Sequence, residues 1–99
     1  MGETIRARVG ETFEIPLAGN LTTGYRWEAE IIGEPPVVEF LEDIWEADVS
    51  RPGAPGGQRL RFRAVAAGQG AVVLRYRRPW EKQAALEERT VSLNITATA

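Results

Sequence analysis

Ninety-nine residues give room for one hydrophobic core, and 43% apolar with 26% charged residues are ordinary globular proportions, which exclude a disordered or membrane-embedded class. A net charge of −2 argues against nucleic acid as a main partner, since phosphate binding needs a basic surface that Arg75, Arg77 and Arg78 supply only locally. With neither cysteine nor histidine in the chain, there is no disulfide, no thiolate nucleophile and no imidazole base.

In chain order, Ile5, Ala7 and Val9 alternate with polar residues and predict a first half-buried strand, closed by the turn signal Gly10-Glu11. Phe13, Ile15 and Leu17 predict a second strand. The segment Asn20-Leu21-Thr22-Thr23-Gly24-Tyr25 follows, with hydroxyl residues ahead of a glycine that can take φ > 0. Local side-chain bonds from Asn20, Thr22 or Thr23 would also explain it as a plain turn. Tyr25, Trp27, Ala29 and Ile31 predict a third strand with Trp27 in the core. After a proline-bearing connection at 33–36, a fourth strand is expected somewhere between Val37 and Val49, near Ile44 and Trp45.

The run Pro52-Gly53-Ala54-Pro55-Gly56-Gly57 has no phosphate-loop pattern. With few side chains it suits close backbone approach to another surface, or a simple hairpin connection. Leu60, Phe62 and Ala64 predict the fifth strand, and 67–70 (Ala-Gly-Gln-Gly) a turn. Val72, Leu74 and Tyr76 predict the sixth strand, which Arg78-Pro79-Trp80 ends, because proline cannot donate to a ladder. The tryptophan then lies beyond the strand, and Trp beside Arg is a frequent binding anchor. The bland alternative folds Trp80 back on the domain edge with Arg78 stacked on it. Residues 81–88 have the composition of a helical turn, and Val91, Leu93 and Ile95 predict the seventh strand.

About seven short strands with turns between them predict an all-β, immunoglobulin-like antiparallel β-sandwich without a disulfide, forming a single domain over 1–99. If each strand crosses the sandwich once, the loops at 20–25, 53–57 and 78–80 all leave from one end. Catalysis finds little support. The acids Glu42 with Asp43, Glu46 with Asp48, and Glu87 with Glu88 read as solvated faces. No zinc or calcium spacing is present, so no metal or cofactor is expected. No run approaches the ~20 apolar residues of a membrane helix, and Met1-Gly2-Glu3-Thr4 lacks the shape of a signal peptide. Asn20-Leu21-Thr22 and Asn94-Ile95-Thr96 match the short glycosylation sequon.

These three loops, in this order and over nearly the whole length, resemble the chagasin-type inhibitors of papain-like cysteine peptidases. That family carries an Asn-Pro-Thr-Thr-Gly-Tyr/Phe loop, a glycine-rich loop and an Arg-Pro-Trp loop on an immunoglobulin-like sandwich. The resemblance implies a reversible, tight-binding inhibitor, with a peptidase as partner and no need of a second copy of itself. By that likeness Asn20, Leu21, Thr22, Thr23, Gly24 and Tyr25 would face the catalytic centre. Gly53, Ala54, Pro55, Gly56 and Gly57 would lie along the cleft, and Arg78, Pro79 and Trp80 would dock beside the catalytic histidine. The sequence departs from the pattern twice. Leu21 stands in the usual proline's place, at a cost of ~0.4 to 1 kcal/mol in loop preorganisation, and Pro55 interrupts the glycine run, with Ala54 in a glycine place or a one-residue insertion. A non-inhibitory module binding protein or carbohydrate is the alternative, since fold alone does not fix function.

Overall fold

The structure, a computed structural model, describes residues 3–18, 25–46, 57–78, 80 and 84–97. Seven strands run in chain order: β1 (Glu3–Arg8), β2 (Thr12–Ala18), β3 (Arg26–Ile32), β4 (Val38–Glu46), β5 (Gly57–Ala64), β6 (Gly68–Arg77) and β7 (Glu87–Thr96). One sheet has the order β1-β7-β6-β3 and the other β2-β5-β4. β3–β6, β6–β7, β2–β5 and β4–β5 pair antiparallel, whereas β1 pairs with β7 in parallel. Strands that each cross once alternate in direction, so the first and the seventh must point the same way.

The core follows the period-2 pattern. Leu60, Phe62 and Ala64 from β5 face Val72 and Leu74 from β6 and Val91, Leu93 and Ile95 from β7, with Ile15, Leu17, Trp27, Val37 and Val38 completing it among the described residues, all buried. Phe62 stacks on Phe13 at 5.6 Å and takes the edge of Phe40 at 5.7 Å. Burying such side chains is worth roughly 1.5–3 kcal/mol each. The residues between them face water and pair by charge. Arg59 and Arg61 on β5 both reach Glu14 on β2, at 2.9 and 2.7 Å, while Arg75 on β6 bridges Glu30 and Glu88 at 2.8 and 3.0 Å. Thus arginines on the central strands meet glutamates on the flanking ones.

Several local expectations are corrected. Gly68 and Gly70 are the opening residues of β6, and the connection is confined to 65–67. Residues 84–86 are not helical, and Glu87 and Glu88 already belong to β7. Ala29 is exposed, because β3 is an edge strand and its middle lies beside an open groove. Tyr25 precedes β3 instead of lying in it. Gly10, at φ 97°, makes the turn between β1 and β2, and its N–H donates to the Ala64 carbonyl at 2.9 Å.

Candidate loop edge

The roots of the three marked loops meet at one end of the sandwich. In the three-stranded sheet Gly57, the first residue of β5, is paired with both Ala18, the last of β2, and Glu46, the last of β4. In the other sheet Arg26, the first residue of β3, pairs with Arg77, the last of β6, and Tyr76 pairs with Glu87 at the start of β7. Hydrogen bonds between the sheets bring these two sets of ends together. The Trp27 indole N–H donates to the Ala18 carbonyl at 2.8 Å, and the Gln58 side chain bonds the Trp27 backbone at 2.9 and 3.0 Å.

Four side chains tie the first loop's exit to the third loop's start. Trp27 packs against Tyr76 with ring centroids 5.1 Å apart, and Tyr76 stacks on Tyr25 at 5.2 Å. Over the Tyr25 ring lies the guanidinium of Arg78, 4.5 Å from the centroid. The arginine that was a candidate to stack on Trp80 therefore stacks on a tyrosine, a geometry that attracts through the ring's negative face. Trp80 is 69% exposed, the largest such value among the large hydrophobic side chains of the described residues.

Of the residues marked in the sequence, Tyr25, Gly57, Arg78 and Trp80 are thus brought to this end of the molecule. Asn20, Leu21, Thr22, Thr23, Gly24, Gly53, Ala54, Pro55, Gly56 and Pro79 lie outside the described residues. One residue of this end was missed by sequence reasoning. Gln58 is fully buried in the inward phase of β5, ahead of Leu60, Phe62 and Ala64. A polar side chain at an inward position next to a loop was the available signal, since buried amides must find partners.

Beside the loop roots, between the free edges of β3 and β4, runs a groove of about 260 Å³ lined by Arg26, Trp27, Glu28, Ala29, Phe40, Asp43 and Leu60. Its acids are engaged in binding neighbours: Asp43 accepts from Gln58 at 2.9 Å and Glu28 pairs with Arg77 at 3.5 Å. Among the described residues, the carboxyl whose pKa clearly moves is that of Glu14, on the outer face of β2. Its pKa is held below the ordinary value by a hydrogen bond from Arg61, the opposite of the raised carboxyl that an acid catalyst needs. Among the described residues, no group of three His, Cys, Asp or Glu side chains is placed to hold a metal ion, and no helix is long and apolar enough to cross a membrane.

Residues 6–95 match the model of the family described as Chagasin family peptidase inhibitor I42. Amoebiasin-1 of Entamoeba histolytica is 36% identical over 93 residues, covering 93% of this chain and 87% of its own length. Chagasin of Trypanosoma cruzi is 35% identical over 83 residues, covering 80% of this chain and 76% of its own. In three dimensions the chain is similar to the crystal structure of the cysteine protease inhibitor EhICP2 from Entamoeba histolytica. The TM-score is 0.78 at 25% identity, with 95% of this chain and 86% of that one covered.

Proposed function

Since the chain belongs to the chagasin family of peptidase inhibitors, matched over residues 6–95, we propose that it is a reversible, tight-binding inhibitor of papain-like cysteine peptidases and performs no catalysis of its own. The whole chain, 1–99, acts as one inhibitor domain. Loops 20–25, 53–57 and 78–80 form the edge that enters the peptidase's active-site cleft.

The observation that carries this reading is the convergence of all three loop roots, through Ala18, Gly57 and Glu46 in one sheet and Arg26, Arg77 and Glu87 in the other. A rigid sandwich that fixes where three loops start lowers the ordering entropy lost on association. A loop that fills the cleft without presenting an aligned scissile carbonyl blocks substrate and escapes cleavage. Trp80 supplies an exposed aromatic anchor at the same end, and Arg78 is already immobilised on Tyr25. A simple binding module would be favoured by a buried Trp80 and by loops that start far apart; the exposure of Trp80 and the meeting of the described loop roots at one end support the inhibitor reading instead.

Titration of papain with the purified protein, followed with a fluorogenic substrate and repeated on a serine peptidase, tests the proposal. Stoichiometric loss of papain activity alone is the expected result. Retained activity of several papain-like enzymes would shift the assignment to the binding module.

A further inference from the structure

The first loop ends on β3 of one sheet and the second on β5 of the other. Facing sheets in a sandwich are held by interdigitating side chains. At the loop end, hydrogen bonds are added to that packing. Gln58 Oε1 accepts the Trp27 backbone N–H at 2.9 Å, and Gln58 Nε2 donates to the Trp27 carbonyl at 3.0 Å and to Asp43 Oδ1 at 2.9 Å. A residue's N–H and C=O point to the same side of a strand, and β3 is an edge strand with β6 on its other side. The carboxamide therefore pairs with the free edge of β3 as one rung of a further strand would. Both amide hydrogens are used, and Asp43 on β4 fixes which way the amide faces.

We propose that Gln58 is a positioning residue for inhibition: its carboxamide locks β3 against β5 and β4, and so sets the first loop in register with the second before a peptidase is met. This rests on the reading that these loops form the inhibitory edge. Trp27 carries the lock onward, to Ala18 at the first loop's entry through its indole N–H and to Tyr76 near the third loop through ring contact. The rest of the inward phase of β5 is apolar, namely Leu60, Phe62 and Ala64. A hydrophobic residue at position 58 would match that apolar phase, but would leave the Trp27 N–H and carbonyl unbonded.

Gln58→Met and Asp43→Ala in the full chain test this, with inhibition of papain measured below each variant's unfolding temperature and amide hydrogen exchange measured on the free proteins. Gln58→Met is expected to raise Ki about tenfold, the size of a lost loop preorganisation. It should also speed exchange in peptides spanning residues 19–25 and 47–56 and leave the opposite-end turns at 9–11 and 65–67 unchanged. Asp43→Ala, which frees the amide to turn, should shift both readouts the same way and less. An unchanged Ki in folded Gln58→Met, or exchange that rises equally at both ends, would overturn the proposal by reducing Gln58 to a general stabiliser. If Gln58→Met does not fold, Asp43→Ala decides: loop-end exchange unaltered from the parent would count against the lock. Exchange needs no peptidase, so failure of the parent chain to inhibit papain would sink the inhibitor reading separately.

Discussion

The Arg78 guanidinium carbon lies 4.5 Å from the centroid of the Tyr25 ring, so the residue leaving β6 is held against the residue entering β3. Their strands are paired through Arg26 and Arg77, and the contact extends that pairing by one step beyond the last rung. Because it exists within the free protein, it should be measurable without a partner. A double-mutant cycle of Tyr25→Leu and Arg78→Met, followed by urea unfolding, is expected to give a coupling of about 0.5–1 kcal/mol. Additive effects would show that the stack of Arg78 on Tyr25 does not couple the two loop roots.

Trp80 is expected to separate binding from stability. At 69% exposure its side chain contributes little to the core, so Trp80→Ala should leave the unfolding midpoint within about 0.5 kcal/mol of the parent, as for surface substitutions generally. As an interface anchor, its loss should weaken peptidase binding by about 2–4 kcal/mol, roughly 30- to 1,000-fold in Ki. A folded Trp80→Ala protein that inhibits as well as the parent would remove this residue from the proposed edge.

How far the sequence could be read depended on whether a strand kept strict alternation. On β5, Leu60, Phe62 and Ala64 point inward and Arg59, Arg61 and Arg63 point outward along an unbroken ladder with β2, so period 2 was plain. On β4 it was not, because the register shifts between Phe40 and Glu42 and leaves Leu41 unpaired. Such a bulge turns successive side chains out of phase, and Phe40 and Leu41 are consequently both exposed. The start of β7 was hidden for another reason. Glu87 and Glu88 are both exposed, so they carry no apolar alternation to mark the strand, and their pairing with Tyr76 and Arg75 appears only in three dimensions. At the candidate edge, the marker residues were read from loop composition and the shared end from loop parity. The stacking of Arg78 on Tyr25 and the role of Gln58 required the sheets to be docked, since their partners lie on other strands.

Gly70 marks a second limit of sequence reading, and it supplies a control at the end of the sandwich away from the loops. Read as part of a turn, it is a strand residue where β6 passes close to its neighbours. A Cβ there would lie 2.8 Å from the Ile32 carbonyl oxygen and 3.1 Å from Val37 Cγ2. Backbone cannot yield as a flexible side chain does, so Gly70→Ala should destabilise by about 1–3 kcal/mol, in line with overpacking elsewhere. Below its unfolding temperature the variant should inhibit like the parent. Urea midpoints and Ki values measured together check this, and a matching loss of inhibition would mean that strain at the far end reaches the loops.

Acid sensitivity should trace to Glu14. Its carboxylate accepts from Arg61 at 2.7 and 3.0 Å and from Arg59 at 2.9 Å, and the Arg61 hydrogen bond is the main cause of a pKa below the ordinary 4.5. The unfolded chain therefore takes up the proton first as pH falls. Stability from this group is fully present above pH 4.5 and is lost as pH drops through that value toward the folded-state pKa. Arg61 and Arg75 shift the other way, above the ordinary arginine value, through hydrogen bonds from Arg61 to Glu14 and from Arg75 to Glu30 and Glu88. Their contributions are complete below that value and add no slope in acid. Unfolding midpoints measured between pH 7 and pH 3 should thus fall less steeply for Glu14→Gln than for the parent below pH 4.5, and run parallel to it above. Curves parallel throughout the acid range would show that the Glu14 pair with β5 does not bear on folding, leaving the arginine ladder of that strand as a solvated surface.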